Sequence, residues 1–316
     1  MQNKIPNNMT TSEYKIKSID GQEIQVYEWL PDNPDKLKGI VQIAHGMAEH
    51  GARYADLAGF LVMHHYAVFA MDHRGHGKTA GKLENVGFIA KKDGWKKLVV
   101  DFRNLSLYIK EKYPDKPLYL FGHSMGSFVV RNMIIEPGLK IHGSILSGTG
   151  GDPGLLGQIG VSLTHTLLWF FPANSASPFM DKLSFGAFNK AFKPNRTKFD
   201  WLSRDNDQVD KYVSDPFCGT IFSLKFFNDL LKGLLYISKQ ASINKVSEDL
   251  PILLFSGDKD PVGNNGGGVV EVYNKYKKAG IKNLTMKLFP EGRHEMLNEI
   301  NRHEVYQFVL DWLEKN

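Results

Sequence analysis

A serine flanked by glycines, Gly122-His123-Ser124-Met125-Gly126, follows the apolar run at 118–121 and opens a helix-spaced apolar stretch to residue 136. The glycines allow a tight strand-to-helix turn, and such a turn lifts the Ser124 hydroxyl to the carboxyl edge of a sheet beside a helix N-terminus. The string alone would serve equally as a serine N-cap with turn glycines. The strand before it and the helix after it make it a nucleophile motif. A serine needs a base, and position sorts the 11 histidines. His294, in Phe289-Pro-Glu-Gly-Arg-His294-Glu295, sits between a late strand and the last helix. His303 is expected on a solvated face of that helix, and His142 and His165 are expected to be structural. The imidazole in turn needs an acid that fixes its tautomer. The loop Ser256-Gly-Asp258-Lys-Asp260-Pro-Val262 offers two. Asp260 precedes a proline and is held extended, so it is the favoured acid. Asp258 is the alternative, with a role in shaping the turn.

Acyl transfer also needs donors for a tetrahedral oxyanion. The N–H of Met125, next to the serine, is one. The other is expected from His45-Gly46-Met47-Ala48-Glu49-His50-Gly51, where Gly46 permits close approach and Met47 N–H is placed to donate. His45, Glu49 and His50 could be drawn as metal ligands. They read instead as a hydrogen-bonded loop scaffold, as does Asp72-His73-Arg74-Gly75-His76-Gly77, and neither metal nor organic cofactor is expected.

The elements that must position these groups are legible in the patterning. Alternating residues at 13–19 and 23–29 around Asp20-Gly21 predict an antiparallel hairpin. Continuous apolar runs at 39–44, 67–71, 118–121 and 143–147 alternate with helical stretches at 53–64, 95–112 and 124–136. That grammar is an α/β fold, a mostly parallel sheet covered by helices on both faces. It breaks after residue 151 and resumes near 250, with strands at 252–255 and 284–289 and helices at 267–279 and 301–314. Residues 1–151 and 246–316 therefore form the core, and 152–245 a helical cap inserted into it.

The five ordered segments 45–54, 72–77, 122–126, 257–262 and 293–295 resemble the monoacylglycerol lipase and lysophospholipase branch of the α/β-hydrolase superfamily. The resemblance implies a Ser124–His294–Asp260 triad, oxyanion donors at Met47 and Met125 with His45, Gly46, Gly122, His123 and Gly126 as motif support, and a cap after the sixth core strand. It implies a lipid-like acyl ester as substrate. The superfamily also holds aminopeptidases, thioesterases and acyltransferases. An intact triad in the right order argues against a non-catalytic binding module.

The cap is greasy. Leu155, Leu156, Ile159, Leu163, Leu167, Leu168, Phe170 and Phe171 fill one stretch, and Phe222 to Leu235 another. Packing against the core is one reading; an acyl tunnel and a lipid-facing patch is the other. The cap aspartates 200, 205, 207 and 210 read as surface groups rather than an ammonium site.

Composition narrows the rest. One cysteine, Cys218, excludes an internal disulfide and a Cys-rich zinc site. A net charge of +5 over 316 residues is mild, and the short basic run at 91–97 reads as a solvated face, not a nucleic-acid footprint. Residues 1–10 lack the apolar segment of a leader, and no apolar stretch is long enough to span a bilayer. The expected location is cytoplasmic, with peripheral lipid contact through the cap. The composition fixes no oligomeric state.

Overall fold

In a computed structural model that describes residues 9–316, the chain forms one eight-stranded sheet in the order β1-β2-β4-β3-β5-β6-β7-β8. The part of the N-terminal leader reading that concerns residues 1–8 lies outside the described residues. Strands β1 (Met9–Lys17) and β2 (Glu23–Pro31) pair antiparallel, and β2 pairs antiparallel with β4 (Tyr66–Met71). The turn between β1 and β2 closes through Ser18 and Gln22, with Gly21 at φ +84°, a conformation that glycine adopts without strain. From there β3 (Gly39–Ala44), β4, β5 (Leu118–His123), β6 (Gly143–Ser147), β7 (Ile252–Gly257) and β8 (Leu284–Phe289) are parallel. The hairpin thus forms an antiparallel edge on a parallel sheet, as its sequence predicts.

Side chains alternate across this sheet into two apolar layers. Ile40, Ala44, Phe69, Met71 and Leu120 pack toward α2 (Gly94–Lys112), α3 (Met125–Ile135) and α9 (Gly267–Lys278). Val41, Ile43, Val68, Ala70 and Phe121 pack toward α1 (Ala55–Met63) and α10 (Arg302–Lys315). Both faces being covered explains why the strands read as unbroken apolar runs. The polar exception in β3, Gln42, is fully buried and satisfied: its Nε2 donates to Phe102 O at 2.8 Å and its Oε1 accepts from Ser106 Oγ at 2.5 Å.

Between β6 and β7 lie α4 (Gly154–Leu167), α5 (Pro178–Phe185), α6 (Asn206–Ser214), α7 (Leu224–Ser238) and α8 (Gln240–Ile243). Helix α7 starts at a Ser223 N-cap and buries Phe226, Phe227, Leu230 and Ile237 in the same apolar cluster as α2 and α3. The insertion therefore shares the core of the sheet through α7, whereas Leu155, Leu156 and Ile159 on α4 and Trp169, Phe170 and Phe171 beyond it stand exposed. The loops after β3, β5, β6, β7 and β8 all emerge at the carboxyl ends of parallel strands, where open α/β sheets bind ligands.

Candidate active site

Ser124 sits between β5 and α3 with φ +51° and ψ −121°. A non-glycine residue in that region is strained, and it persists only where its surroundings over-determine it. Here they do. A Cβ on Gly122 would fall on the backbone of Gly126, and one on Gly126 would fall on the Ala44 carbonyl, so both flanking glycines are required for α3 to approach β3. The Ser124 N–H is held by Ser147 O at 2.9 Å.

His294 follows β8 and is 3% exposed; Asp260 follows β7 and is fully buried. The imidazole Nδ1 lies 2.9 Å from both Asp260 carboxylate oxygens. Asp260 also accepts from Ser256 Oγ at 2.7 Å and Val262 N–H at 2.9 Å. Burial pushes the Asp260 pKa up, but the His294 charge and these hydrogen bonds outweigh it and hold it below the ordinary carboxylate value. The same pairing reverses burial at His294: desolvation pushes its pKa down, and the Asp260 charge and hydrogen bond carry it above the ordinary imidazole value. Asp258, the alternative acid, lies away from this pairing and accepts from Glu291 N–H at 2.8 Å, shaping the turn after β8. His123 packs its ring 4.7 Å from that of His294; burial and the His294 charge hold its own pKa down to about 4.

The loop after β3 is held peptide by peptide. The His73 N–H donates to His45 Nε2 at 2.9 Å. A main-chain N–H can only donate, so the His45 proton is on Nδ1, and it is given to Gly46 O at 2.7 Å. That oxygen and the Met47 N–H belong to one peptide plane. Gly46 N–H is meanwhile bound by Glu49 Oε1 at 2.5 Å. Ser127 does the same on the other side, its N–H (2.9 Å) and Oγ (2.5 Å) both donating to Ser124 O and so fixing the Ser124–Met125 peptide. Among the described residues, neither Met47 N–H nor Met125 N–H has an acceptor.

These groups open on one cavity of about 1000 Å³. Its wall includes Ser124, His294, Met47 and Met125, so the structure brings the sequence-predicted residues together. No hydrogen bond joins Ser124 Oγ to His294. Phe185 of α5 and Phe227, Leu230, Leu231 and Leu234 of α7 make one wall apolar. Glu49 and Glu295 also line the cavity, and behind them Arg53 binds Glu49 Oε2 at 2.5 Å and Glu295 in a two-pronged contact at 2.8 and 2.7 Å.

Other sequence readings fall out as follows. His303 is exposed and His142 accepts the Leu118 N–H at 3.1 Å. His165 is not a structural residue of the interior: it is exposed on α4, edge-on to Trp169, because it faces away from α7. Asp200 is not a surface group either. It is buried, and it accepts from Arg196 N–H at 2.6 Å and Thr197 Oγ1 at 2.6 Å. Asp72 is buried beneath its loop and accepts from Gly51 N–H (2.8 Å), Lys78 N–H (2.7 Å) and Tyr27 OH (3.1 Å). Lys91 and Lys92 are solvated. Sequence reasoning missed Trp201, whose ring lies 5.2 Å from that of His294, and Tyr212, whose OH donates to Ala48 O at 2.9 Å. Both come from the insertion, where no motif announces them. The Glu49–Arg53 spacing of four residues is the one local signal for the buried ion-pair network.

Comparison with known proteins agrees with this architecture. The chain is 26% identical over 304 residues to the monoacylglycerol lipase of Mycolicibacterium smegmatis, covering 96% of this chain and 97% of that one. It is 26% identical over 294 residues to human monoglyceride lipase, covering 90% and 88%. The crystal structure of a thermostable carboxyl esterase from Bacillus coagulans superposes with a TM-score of 0.89 at 28% identity, covering 96% of this chain and 98% of that one. The family model described as serine aminopeptidase, S33 matches residues 35–301. The chain is an α/β hydrolase and belongs to the serine aminopeptidase S33 family.

Proposed function

We propose that the chain is a serine carboxylic-ester hydrolase that cleaves monoacylglycerol or lysophospholipid acyl esters. The observation that carries the reading is His294, paired with the buried Asp260 and facing the same cavity as a strained, partly buried Ser124. Ser124 Oγ attacks the ester carbonyl as His294 Nε2 takes its proton. Asp260 keeps the imidazole in the tautomer with Nδ1 protonated and stabilises the imidazolium that forms. The developing oxyanion is received by Met47 N–H and Met125 N–H, whose peptide planes are already fixed, so little reorganisation accompanies the reaction. His294 then returns the proton to the leaving alcohol, and water activated by the same base releases the acid from the acyl-enzyme.

Residues 152–245 act in this reading as the cap that selects substrate. The cavity is at the upper end for small-molecule sites, roughly 300–1000 Å³, and a lining that combines apolar side chains of α5 and α7 with the acidic Glu49 and Glu295 suits an acyl chain joined to a polar head. The exposed apolar residues of α4 and of 169–171 give the cap a face for peripheral contact with a lipid surface. No helix among the described residues is long and apolar enough to cross a membrane.

An amide-cleaving alternative rests on Asp181, a cavity carboxylate with no ion-pair partner among the described residues, whose pKa burial pushes up. The remaining cavity acids are engaged: Glu49 and Glu295 with Arg53, Asp152 and Glu271 with Lys275. Parallel assay of monoacylglycerols and aminoacyl-arylamides decides between them, and a preference for arylamides overturns the ester assignment. Ser124→Ala is expected to lower hydrolysis of a short p-nitrophenyl ester by roughly 10⁵-fold or more with an unchanged melting curve; undiminished turnover by the purified variant refutes the nucleophile.

A further inference from the structure

Behind the loop that carries Met47, three side chains of different chemistry converge. His50 Nε2 lies 2.8 Å from Asp215 Oδ2, and the Cys218 sulfur joins them so that the three ligand atoms lie within 4.8 Å of one another. His50 ends the loop after β3, whereas Asp215 and Cys218 belong to the insertion, just past α6. The segment Asp215-Pro216-Phe217-Cys218 is a closed turn: Asp215 Oδ1 accepts the Phe217 N–H at 2.9 Å and Asp215 O accepts the Cys218 N–H at 3.0 Å. A turn that sets two donors with two residues between them is the spacing common in zinc sites.

We propose that His50, Asp215 and Cys218 form a zinc site that fastens the insertion to the β3 loop, separate from the groups assigned to ester cleavage. One imidazole nitrogen, one carboxylate oxygen and one sulfur match the preferences of Zn²⁺, with water left as the fourth ligand. A tetrahedral zinc holds such atoms roughly 3.3–3.6 Å apart, so the His50 Nε2–Asp215 Oδ2 pair, at 2.8 Å, opens by about half an ångström on binding and the imidazole carries its proton on Nδ1 to free Nε2 for the metal. The charges also balance. Binding forms a Zn–S bond and releases the thiol proton to water, and Zn²⁺ then meets the Cys218 thiolate, the Asp215 carboxylate and a neutral imidazole. Arg53, the nearby cation, is already neutralised by Glu49 and Glu295, so it opposes the metal little. The site is partly buried, with 14% of the His50 side chain and 28% of the Asp215 side chain exposed, which leaves an entry path from solvent.

The zinc clasp would tighten a junction already made by hydrogen bonds. Gly219 N–H and Tyr212 OH both donate to Ala48 O, at 3.0 and 2.9 Å, and Ala48 holds a positive φ of +59° to present it.

Cobalt tests this directly, because Cys218 is the single cysteine of the chain and any thiolate-to-cobalt charge-transfer band reports it alone. Titration of the reduced protein with Co²⁺ is expected to raise that band to saturation at one equivalent, with Zn²⁺ abolishing it by displacement. Cys218→Ser, a nearly isosteric change, is expected to lose the band while keeping its metal-free melting curve. His50→Ala and Asp215→Asn are expected to bind at least about tenfold more weakly, and Zn²⁺ at roughly a hundredfold excess over Kd is expected to raise the wild-type melting temperature by a few degrees. No band at saturating Co²⁺, a band that survives in Cys218→Ser, or wild-type affinity in the His50 and Asp215 variants overturns the site.

Discussion

Replacing Asp260 by asparagine separates the two carboxylates that the β7 loop offers. Every group around Asp260 donates to it: His294 Nδ1 at 2.9 Å to either oxygen, Val262 N–H at 2.9 Å to Oδ1 and Ser256 Oγ at 2.7 Å to Oδ2. An asparagine has one acceptor oxygen. The Val262 N–H is a fixed donor, so the oxygen must turn to it, and the new NH₂ then faces Ser256 and His294. The hydroxyl of Ser256 can rotate and accept. The imidazole can accept only by moving its proton to Nε2, the nitrogen that has to take the proton of Ser124. The fold should survive, since each hydrogen bond is replaced, while the base is held in the wrong tautomer. The expected loss in kcat/KM on a p-nitrophenyl ester is roughly 10⁴-fold, about 5.4 kcal/mol of transition-state stabilisation. Asp258→Asn is the internal control. Asp258 accepts the Glu291 N–H, which an asparagine oxygen accepts equally well, and its other contact is a solvent-screened pairing with Lys259 at 3.8 Å, so kcat/KM should change less than about threefold. A loss under tenfold in Asp260→Asn, or equal losses in both variants, would show that the tautomer argument is wrong.

The pH profile gives a related expectation. Only the neutral imidazole can act as base, and His294 is held above the ordinary imidazole value; activity should therefore fall with decreasing pH along a limb placed higher than for a free histidine, and in residual Asp260→Asn activity that limb should move down. Arg53→Met leaves Glu49 and Glu295 buried without their cation, and should cost about 3–5 kcal/mol in denaturant unfolding; a loss below 1 kcal/mol would show that water already screens the network. Serine at Leu155, Leu156 and Ile159 together should weaken partition onto anionic phospholipid vesicles by at least about tenfold with short-ester turnover unchanged, and equal sedimentation of variant and parent would remove α4 from the lipid contact.

The parallel sheet was legible because a strand buried on both faces has to be apolar throughout, and 39–44 and 118–121 are. Boundaries slipped where local geometry overrides pattern: the helix expected from residue 53 starts at Ala55, after the 3-10 turn Gly51–Tyr54, in which the Arg53 N–H bonds back to His50 O at 3.3 Å. The convergence of Ser124, Asp260 and His294 on one edge was legible because each follows a parallel strand. The insertion was legible only as greasy and helical. Which of its side chains face the cavity depends on packing partners distant in sequence: α7 turns Leu230 and Leu234 inward, whereas α4 leaves Leu155 and Leu156 in solvent. Trp201 packs a tilted ring against His294 from a loop with no pattern of its own. The burial of Asp200 escaped the pattern because burial of a loop residue is set by the turn it closes, and the exposure of His165 because it depends on which face of α4 meets α7.

The Ala48 carbonyl receives one donor from the end of α6 and another from the turn beyond it, and it belongs to the same short loop as Met47. Selectivity and chemistry therefore do not separate into interchangeable cassettes along this chain. A chimera that keeps the sheet but takes its insertion from a relative would remove two of the struts that brace the β3 loop. Recombination between such proteins should succeed when the grafted segment brings its own equivalents of Tyr212 and Gly219, and grafts chosen for the acyl wall alone should fold yet lose rate on every substrate.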